Sequence, residues 1–328
     1  MIEQLGFKYD GRLLISHLAA YGLAVALDGM HTEAYVGHDP DSLSFEPVVA
    51  FAGGRTALAE AVRASAVATE AIIEHDIEPG KTGNDRRATI WARASFANDQ
   101  ERAIHVLMLR QKLIDAAEHD ETPFASGLLA SLGAPATWGT ETAKPSDGAT
   151  ALDGVLGNHT SDLVRGVLRP ARRTAAEVSR DAFSGPTLTP TGEQHDKTGW
   201  APPGTRVDLA HQWLAVLGLS LLPVAHRPLS RSATPACWVT DKRPRRYGVT
   251  LPLLSDPVSL PRLRALLSLS SLAAITDEEE QTRDRSRAAG ELRSLGVEEV
   301  VVFTRRYLRG SGSSVGFTYG RGERLGLR

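Results

Sequence analysis

Apolar and polar positions along this chain change period several times, and the changes mark out its elements. Residues 17–30, "HLAAYGLAVALDGM", are apolar nearly all round and predict a buried helix, with Gly22 allowing close packing. "EAYVGHD" and "EPVVAFAGG" follow, β-branched and aromatic, ending in turn formers, and predict strands. "RTALAEAVRASAVATEAIIEHD" and "NDQERAIHVLMLRQKLIDAAEHD" predict two long helices, separated by the loop "EPGKTGNDRRATIWAR". "SDLVRGVLRPARRTAAEVSRD" predicts a basic helix kinked or broken at Pro170. "FSGPTLTPTGEQHDKTGWAPPGT" is so polar and so rich in Pro and Gly that it predicts a loop outside the core.

Helical periodicity returns in "RVDLAHQWLAVLGLSLLPVA". "ACWVTD" and "YGVTLPLL" predict strands on either side of a loop "KRPRR", because Pro244 removes a backbone donor there. "SLPRLRALLSLSSLA" and "TDEEEQTRDRSRAAGELRSLG" predict two more helices. "EEVVVFTRRYL" and "SVGFTYGRGERL" form the clearest hairpin, across "RGSGS". Helices and strands without regular βαβ alternation predict an α+β fold, with mixed helices, small antiparallel sheets and a C-terminal β-hairpin. A length of 328 residues sets a prior of about two domains. The Gly/Ala/Thr/Pro-rich stretch 136–160 reads as a linker-like loop between an α+β region at 1–135 and another at 161–328. "LAAYGL" (18–23) and "LAVLGL" (214–219) share Leu-Ala-x-x-Gly-Leu, a match short enough that chance is the simpler account.

Composition narrows the class. Apolar residues make up 42%, so a sizeable core is within reach. The single cysteine, Cys237, forms no intrachain disulfide and fits a reducing cytosol, where a small packed hydrophobe is its expected role. The N-terminus lacks the pattern of a signal peptide, and no apolar run reaches the about 20 residues that span a bilayer. A cytoplasmic protein without a membrane partner is expected.

Charge changes the picture more. The formal net charge is −2, yet the balance is −11 over 1–164, +7 over 165–246, −3 over 247–299 and +5 over 300–328. Two arginine-rich zones therefore sit in an acidic protein. If they converge they create a local positive field that draws phosphates whatever the total charge. The first zone contains Arg227, Arg231, Lys242, Arg243, Arg245 and Arg246, with Asp241 the single acid between His226 and Leu253. The second has Arg305, Arg306, Arg309 and Arg321 interleaved with Tyr307, Phe317, Tyr319 and several glycines. Forked guanidinium donors suit phosphates and base edges, and aromatic rings offer stacking surfaces. A third set, Lys81, Asn84, Arg86 and Arg87, lies in the loop between the first two long helices and is expected to be exposed.

Catalytic patterns are weak. Gly80-Lys81-Thr82 lacks the earlier glycine of a phosphate-binding loop, since position 75 holds His75. Asn158, His159 and Asp162, or His195 and Asp196, are the nearest approach to metal ligands, and helix capping explains the first group better. His17 and His211 read as satisfied core histidines. No metal and no cofactor is expected, and an enzyme is poorly supported. A metal-dependent nuclease or hydrolase and a protein-only scaffold remain the alternatives.

The leading "LAAYGLAVAL", the run "HQWLAVLGLSLLPV" into "RPLSRSATPACWVTDKRP", and the C-terminal arginine-rich strand pair together resemble the compact large subunits of type I CRISPR–Cas effector (Cascade) complexes, of the I-U/I-G-like variants. The resemblance covers about a third of the chain in scattered pieces. It implies a non-catalytic subunit that binds guide RNA and target DNA beside other Cascade subunits. Such a subunit reads a protospacer-adjacent motif, helps part the strands and offers a surface to the effector helicase-nuclease. Base pairing would then supply most of the sequence specificity.

Overall fold

The computed structural model describes residues 2–6, 10–69, scattered positions between 108 and 131, and then 167–185, 188–189, 191–196, 198–222, 224–226, 233–235, 237–242, 245–276, 282–309 and 315–327. At 2–4, 6, 224–226, 233–235, 238–242, 245–247, 282, 307–309 and 315–317 the description is of the backbone. The fold is α+β, with helices and small antiparallel sheets. Among the described residues no helix is long and apolar enough to cross a membrane.

Strand β1 (Ile2–Gly6) leads through helix α1 (Leu14–Asp28) to β2 (Ala34–His38) and β3 (Pro47–Ala52). β3 lies between β1 and β2, antiparallel to both, which makes a split βαβ unit. The short strand β10 (Val258–Ser259) extends the same sheet beside β2. Every residue of α1 from Leu14 to Leu27 is buried, as its all-round apolar pattern requires. Helix α2 (Gly54–Ala68) follows β3 through Gly53 and Gly54, both at positive φ, a turn that side chains resist.

Helix α3 (Arg169–Ala176) has Pro170 in its first turn and is entered from a π-helical turn at Val167 and Leu168, so the helical geometry changes just before the proline; residues before 167 lie outside the described part. Three arginines fasten α3 and the turn after it to α2. Arg55 donates to the Gly185 carbonyl at 2.8 Å, Arg63 to that of Val178 at 3.2 Å and Arg172 to that of Ala66 at 3.5 Å.

The stretch expected to stay outside the core does not. Its strand β4 (Glu193–His195) pairs with β5 (Arg206–Asp208), and Leu188, Thr198 and Trp200 are fully or almost fully buried. Asp196 explains how so polar a segment packs. Its carboxylate accepts from the Thr198 amide at 2.9 Å, the Thr198 hydroxyl at 2.6 Å and the Ala201 amide at 3.0 Å, folding the backbone into a turn that presents Trp200 inward.

β5 runs directly into helix α4 (Leu209–Gly218), capped by Asp208. Helix α4 lies against α1, so a residue of the first region packs on the second and one core runs from Leu5 to Leu327. At the crossing the backbones nearly touch: a Cβ on Gly22 would come within 1.7 Å of the Leu214 carbonyl oxygen, and one on Gly218 within 2.0 Å of that of Leu18. The repeated Leu-Ala-x-x-Gly-Leu meets itself at this crossing. Its two copies are partners in one reciprocal contact.

β6 (Val224–His226) pairs with β7 (Ala233–Pro235). The larger sheet has the order β12–β11–β9–β8, built from β8 (Trp238–Lys242), β9 (Arg245–Leu253), β11 (Glu299–Arg309) and β12 (Val315–Tyr319). Strand β13 (Glu323–Gly326) also pairs with β11. Its register is shifted by one residue from that of β12, so residues 320–322 form a bulge in what is otherwise one edge strand. Helices α5 (Leu260–Leu267), α6 (Ser271–Ala274) and α7 (Thr282–Ser294) connect β10 to β11.

Candidate nucleic-acid interface

The expected loop around Pro244 is instead a tight hairpin. Lys242 pairs with Arg245 and Asp241 with Arg246, so only residues 243 and 244 connect β8 to β9. Lys242, Arg245 and Arg246 therefore belong to strands, and Arg243 lies outside the described residues. The C-terminal hairpin forms as the sequence predicts, with Arg305 opposite Tyr319 and Arg309 opposite Val315.

The sheet joins the two hairpins. β9 and β11 are antiparallel neighbours, with Gly248 level with Thr304 and Val249 with Phe303. That ladder ends at Gly248 and Thr304; beyond it β9 continues paired with β8 and β11 with β12, toward the same end of the sheet. Lys242, Arg245 and Arg246 lie within two residues of 243–244, and Arg306 and Arg309 within four of 310–314.

Alternation along β11 separates the second zone. Val301, Phe303 and Arg305 are buried, whereas Thr304 and Arg306 are exposed. Arg305 is only 6% exposed and lies on the packed side of the sheet, unlike its neighbour Arg306. Arg321, on the bulge, is exposed but engaged: it donates to Asp10 at 2.6 Å. Asp10 also receives the Arg12 amide at 2.8 Å and the Arg12 guanidinium at 2.9 and 3.0 Å. Partial burial pushes the Asp10 carboxyl up, but the Arg12 hydrogen bonds, then the Arg12 and Arg321 charges, outweigh it and hold it below the usual aspartate value. Arg324 donates to Glu299 at 2.6 Å. Arg306 has no acid partner among the described residues.

Lys81, Asn84, Arg86, Arg87, Arg227 and Arg231 fall outside the described residues, as do Asn158, His159 and Asp162. Of the other weak metal candidates, His195 is exposed on β4, while the Asp196 oxygens are already engaged by Thr198 and Ala201. Burial raises the Asp196 pKa against those hydrogen bonds. Among the described residues no three His, Cys, Asp or Glu side chains gather as a metal site would require.

Two histidine arrangements are buried. The Leu254 amide donates to His38 Nδ1 at 3.0 Å, which leaves the His38 proton on Nε2. That Nε2–H donates to His17 Nδ1 at 3.1 Å, and His17 Nε2–H in turn donates to the Gly11 carbonyl at 2.6 Å. The chain of bonds fixes both tautomers and ties β2, α1, the turn before α1 and the end of β9 together. Burial lowers the His17 pKa to about 4; burial and the adjacent His17 push His38 well below its ordinary value. His211 lies 3.4 Å from the buried Asp208 carboxylate. That carboxylate also accepts from the amides of Thr191, Gly192 at 3.0 Å and Ala210 at 2.9 Å. Burial raises Asp208, but His211 and these amides bring its pKa below the ordinary value.

No protein-family model matches this chain, and no curated protein matches it in sequence.

Proposed function

We propose that this protein is a non-catalytic nucleic-acid-binding subunit whose contact surface is the end of the sheet where the two hairpins open. The observation that carries this reading is the pairing of β9 with β11, which directs two arginine-rich hairpins toward the same end of one sheet in a chain of net negative charge. Cations gathered toward one end of a sheet raise a local positive field for a phosphate backbone, and the acidic remainder restrains binding elsewhere. The resemblance of the sequence to type I CRISPR–Cas large subunits supports a finer reading. The partners are then guide RNA, target DNA, the other Cascade subunits and the effector helicase-nuclease, and the ligand is duplex beside a protospacer-adjacent motif.

The test is a salt series of binding by the full chain to labelled duplex and single-stranded 20-mers. Arg245→Ala, Arg246→Ala and Arg306→Ala should each weaken binding and lower the slope of log K against log salt by about 1. Unchanged binding in all three variants overturns the sheet-end surface. The finer reading is tested on material purified with its natural partners. RNA should accompany the assembly and be absent from the free chain; an assembly without RNA argues for a protein-only scaffold.

A further inference from the structure

Gly320 is the residue beneath Arg306. A Cβ placed on Gly320 would lie 3.1 Å from Arg306 Nε and 3.4 Å from both Cζ and Nη2, with no other atom as near. The glycine is buried although Arg306 itself is exposed, because the guanidinium lies over it. Nothing else at this position demands glycine. Its φ is not in the left-handed region, unlike that of Gly199 or Gly204. The two other glycines of this part of the sheet have different reasons: a Cβ on Gly322 would strike Val301 and Phe303 at 2.5 and 2.7 Å, and one on Gly248 the Phe303 carbonyl oxygen at 2.8 Å.

The bulge that carries Gly320 is pinned. Gly320 donates to the Thr304 carbonyl at 2.9 Å, Tyr319 to that of Gly199 at 2.7 Å and Gly322 to that of Arg12 at 2.8 Å. An added methyl at 320 therefore displaces the flexible arginine and not the backbone. Among the described residues Arg306 has no acid partner, whereas Asp10 holds Arg12 and Arg321, and Glu299 holds Arg324.

We infer that Gly320 is a positioning residue, a seat that holds the Arg306 guanidinium at the sheet end so that its fork meets a backbone phosphate of the bound nucleic acid. A seated guanidinium loses less freedom on binding than a free side chain, and its two parallel donors match phosphate oxygens. The inference rests on the nucleic-acid reading above and adds to it which arginine is the pre-set anchor and what sets it.

The experiment is a double-mutant cycle on the full chain with labelled duplex and single-stranded 20-mers across a salt series, with thermal melting of each variant. Arg306→Ala should weaken binding roughly tenfold and lower the salt slope by about 1. Gly320→Ala should weaken binding roughly threefold to fivefold while its melting temperature is unchanged or slightly raised, as Gly→Ala at a compatible backbone allows. In the Arg306→Ala background Gly320→Ala should change nothing further. If Gly320→Ala weakens binding equally in both backgrounds, or lowers the melting temperature, it acts through the fold and the inference fails. If Arg306→Ala weakens binding and Gly320→Ala leaves it intact, the seat is wrong while the binding surface stands. If neither Arg306→Ala nor the Arg245 and Arg246 variants affect binding, the nucleic-acid reading itself falls.

Discussion

Gly22 and Gly218 face each other where α1 crosses α4: a Cβ on Gly22 would lie 2.9 Å from the Gly218 amide nitrogen, and one on Gly218 would lie 3.1 Å from that of Gly22. Each glycine is also closest to a carbonyl four residues before the other, Leu214 and Leu18. The contact is backbone on backbone, with no flexible side chain to give way.

Gly22→Ala and Gly218→Ala should therefore each cost more than ordinary overpacking, about 3 kcal/mol or above, because the helices must separate along a fully buried seam. Gly290→Ala, in α7 with open space around its Cβ position, is the control and should stabilise by about 0.5–1 kcal/mol. Urea unfolding followed by the fluorescence of the buried Trp200 and Trp213 checks all three. Equal stability of Gly22→Ala and wild type would overturn the close crossing.

The His17–His38 chain predicts acid sensitivity. Each nitrogen already has a partner, so a further proton breaks a bond, and among the described residues no carboxylate contributes to the environment of either ring. The groups packed on His17 are Phe45 and Phe303, with ring centres 6.4 and 5.4 Å away, and His38. Unfolded histidine takes up its proton near pH 6.5, whereas folded His17 does so near 4. The unfolded state thus binds more protons between those values. Stability is fully present above about pH 6.5 and falls as pH drops toward 4, by about 3 kcal/mol from His17 alone. Denaturant midpoints at pH 7.5, 5.5 and 4.5 test this. A midpoint independent of pH over that range would refute it.

Asp208 should be the most sensitive carboxylate of the described fold. It caps α4, holds the turn at Thr191 and Gly192, and faces His211. Asp208→Ala removes all of these acceptors at a buried site and should cost about 3–5 kcal/mol, beyond the about 1 kcal/mol of an exposed cap. Asp208→Asn retains one oxygen and should lose less. Chemical denaturation of the two variants separates a cap from an inert buried carboxylate, for which both would behave alike.

Much of the fold was legible because local pattern and burial agree there. α1 is apolar on every side and is buried on every side; β2, β3 and the hairpin of β11 and β12 carry strand residues between turn formers. Legibility ended where a distant partner decides. Trp200 lies in a stretch whose Pro and Gly content signals a loop, and only the hydrogen bonds to Asp196 show why it folds inward. Pro244 argued against strand pairing at 242–246, yet Lys242 pairs with Arg245 and Asp241 with Arg246. For the candidate site, residue type located the basic zones but not their accessibility. Arg305 and Arg306 are adjacent and chemically identical, and strand alternation alone buries one and exposes the other. Asp10, some 300 residues from Arg321 in sequence, could not be found from local pattern.

The Asp10 contact yields a prediction of opposite sign to the arginine variants. Asp10 engages Arg12 and Arg321 beside the bulge that carries the Arg306 seat. These ion pairs are largely exposed, so their loss should cost at most about 1 kcal/mol of stability. Removing the carboxylate leaves two arginines unpaired near the sheet end and takes away a charge that repels phosphate. Asp10→Asn should therefore tighten nucleic-acid binding and steepen its salt dependence, whereas Arg306→Ala does the reverse. Salt-series binding of the two variants, with melting curves to show that both are folded, reads the sign directly. Weaker binding by Asp10→Asn would mean that the carboxylate positions Arg321 for the ligand instead of occupying it, and the local charge argument would have to be abandoned.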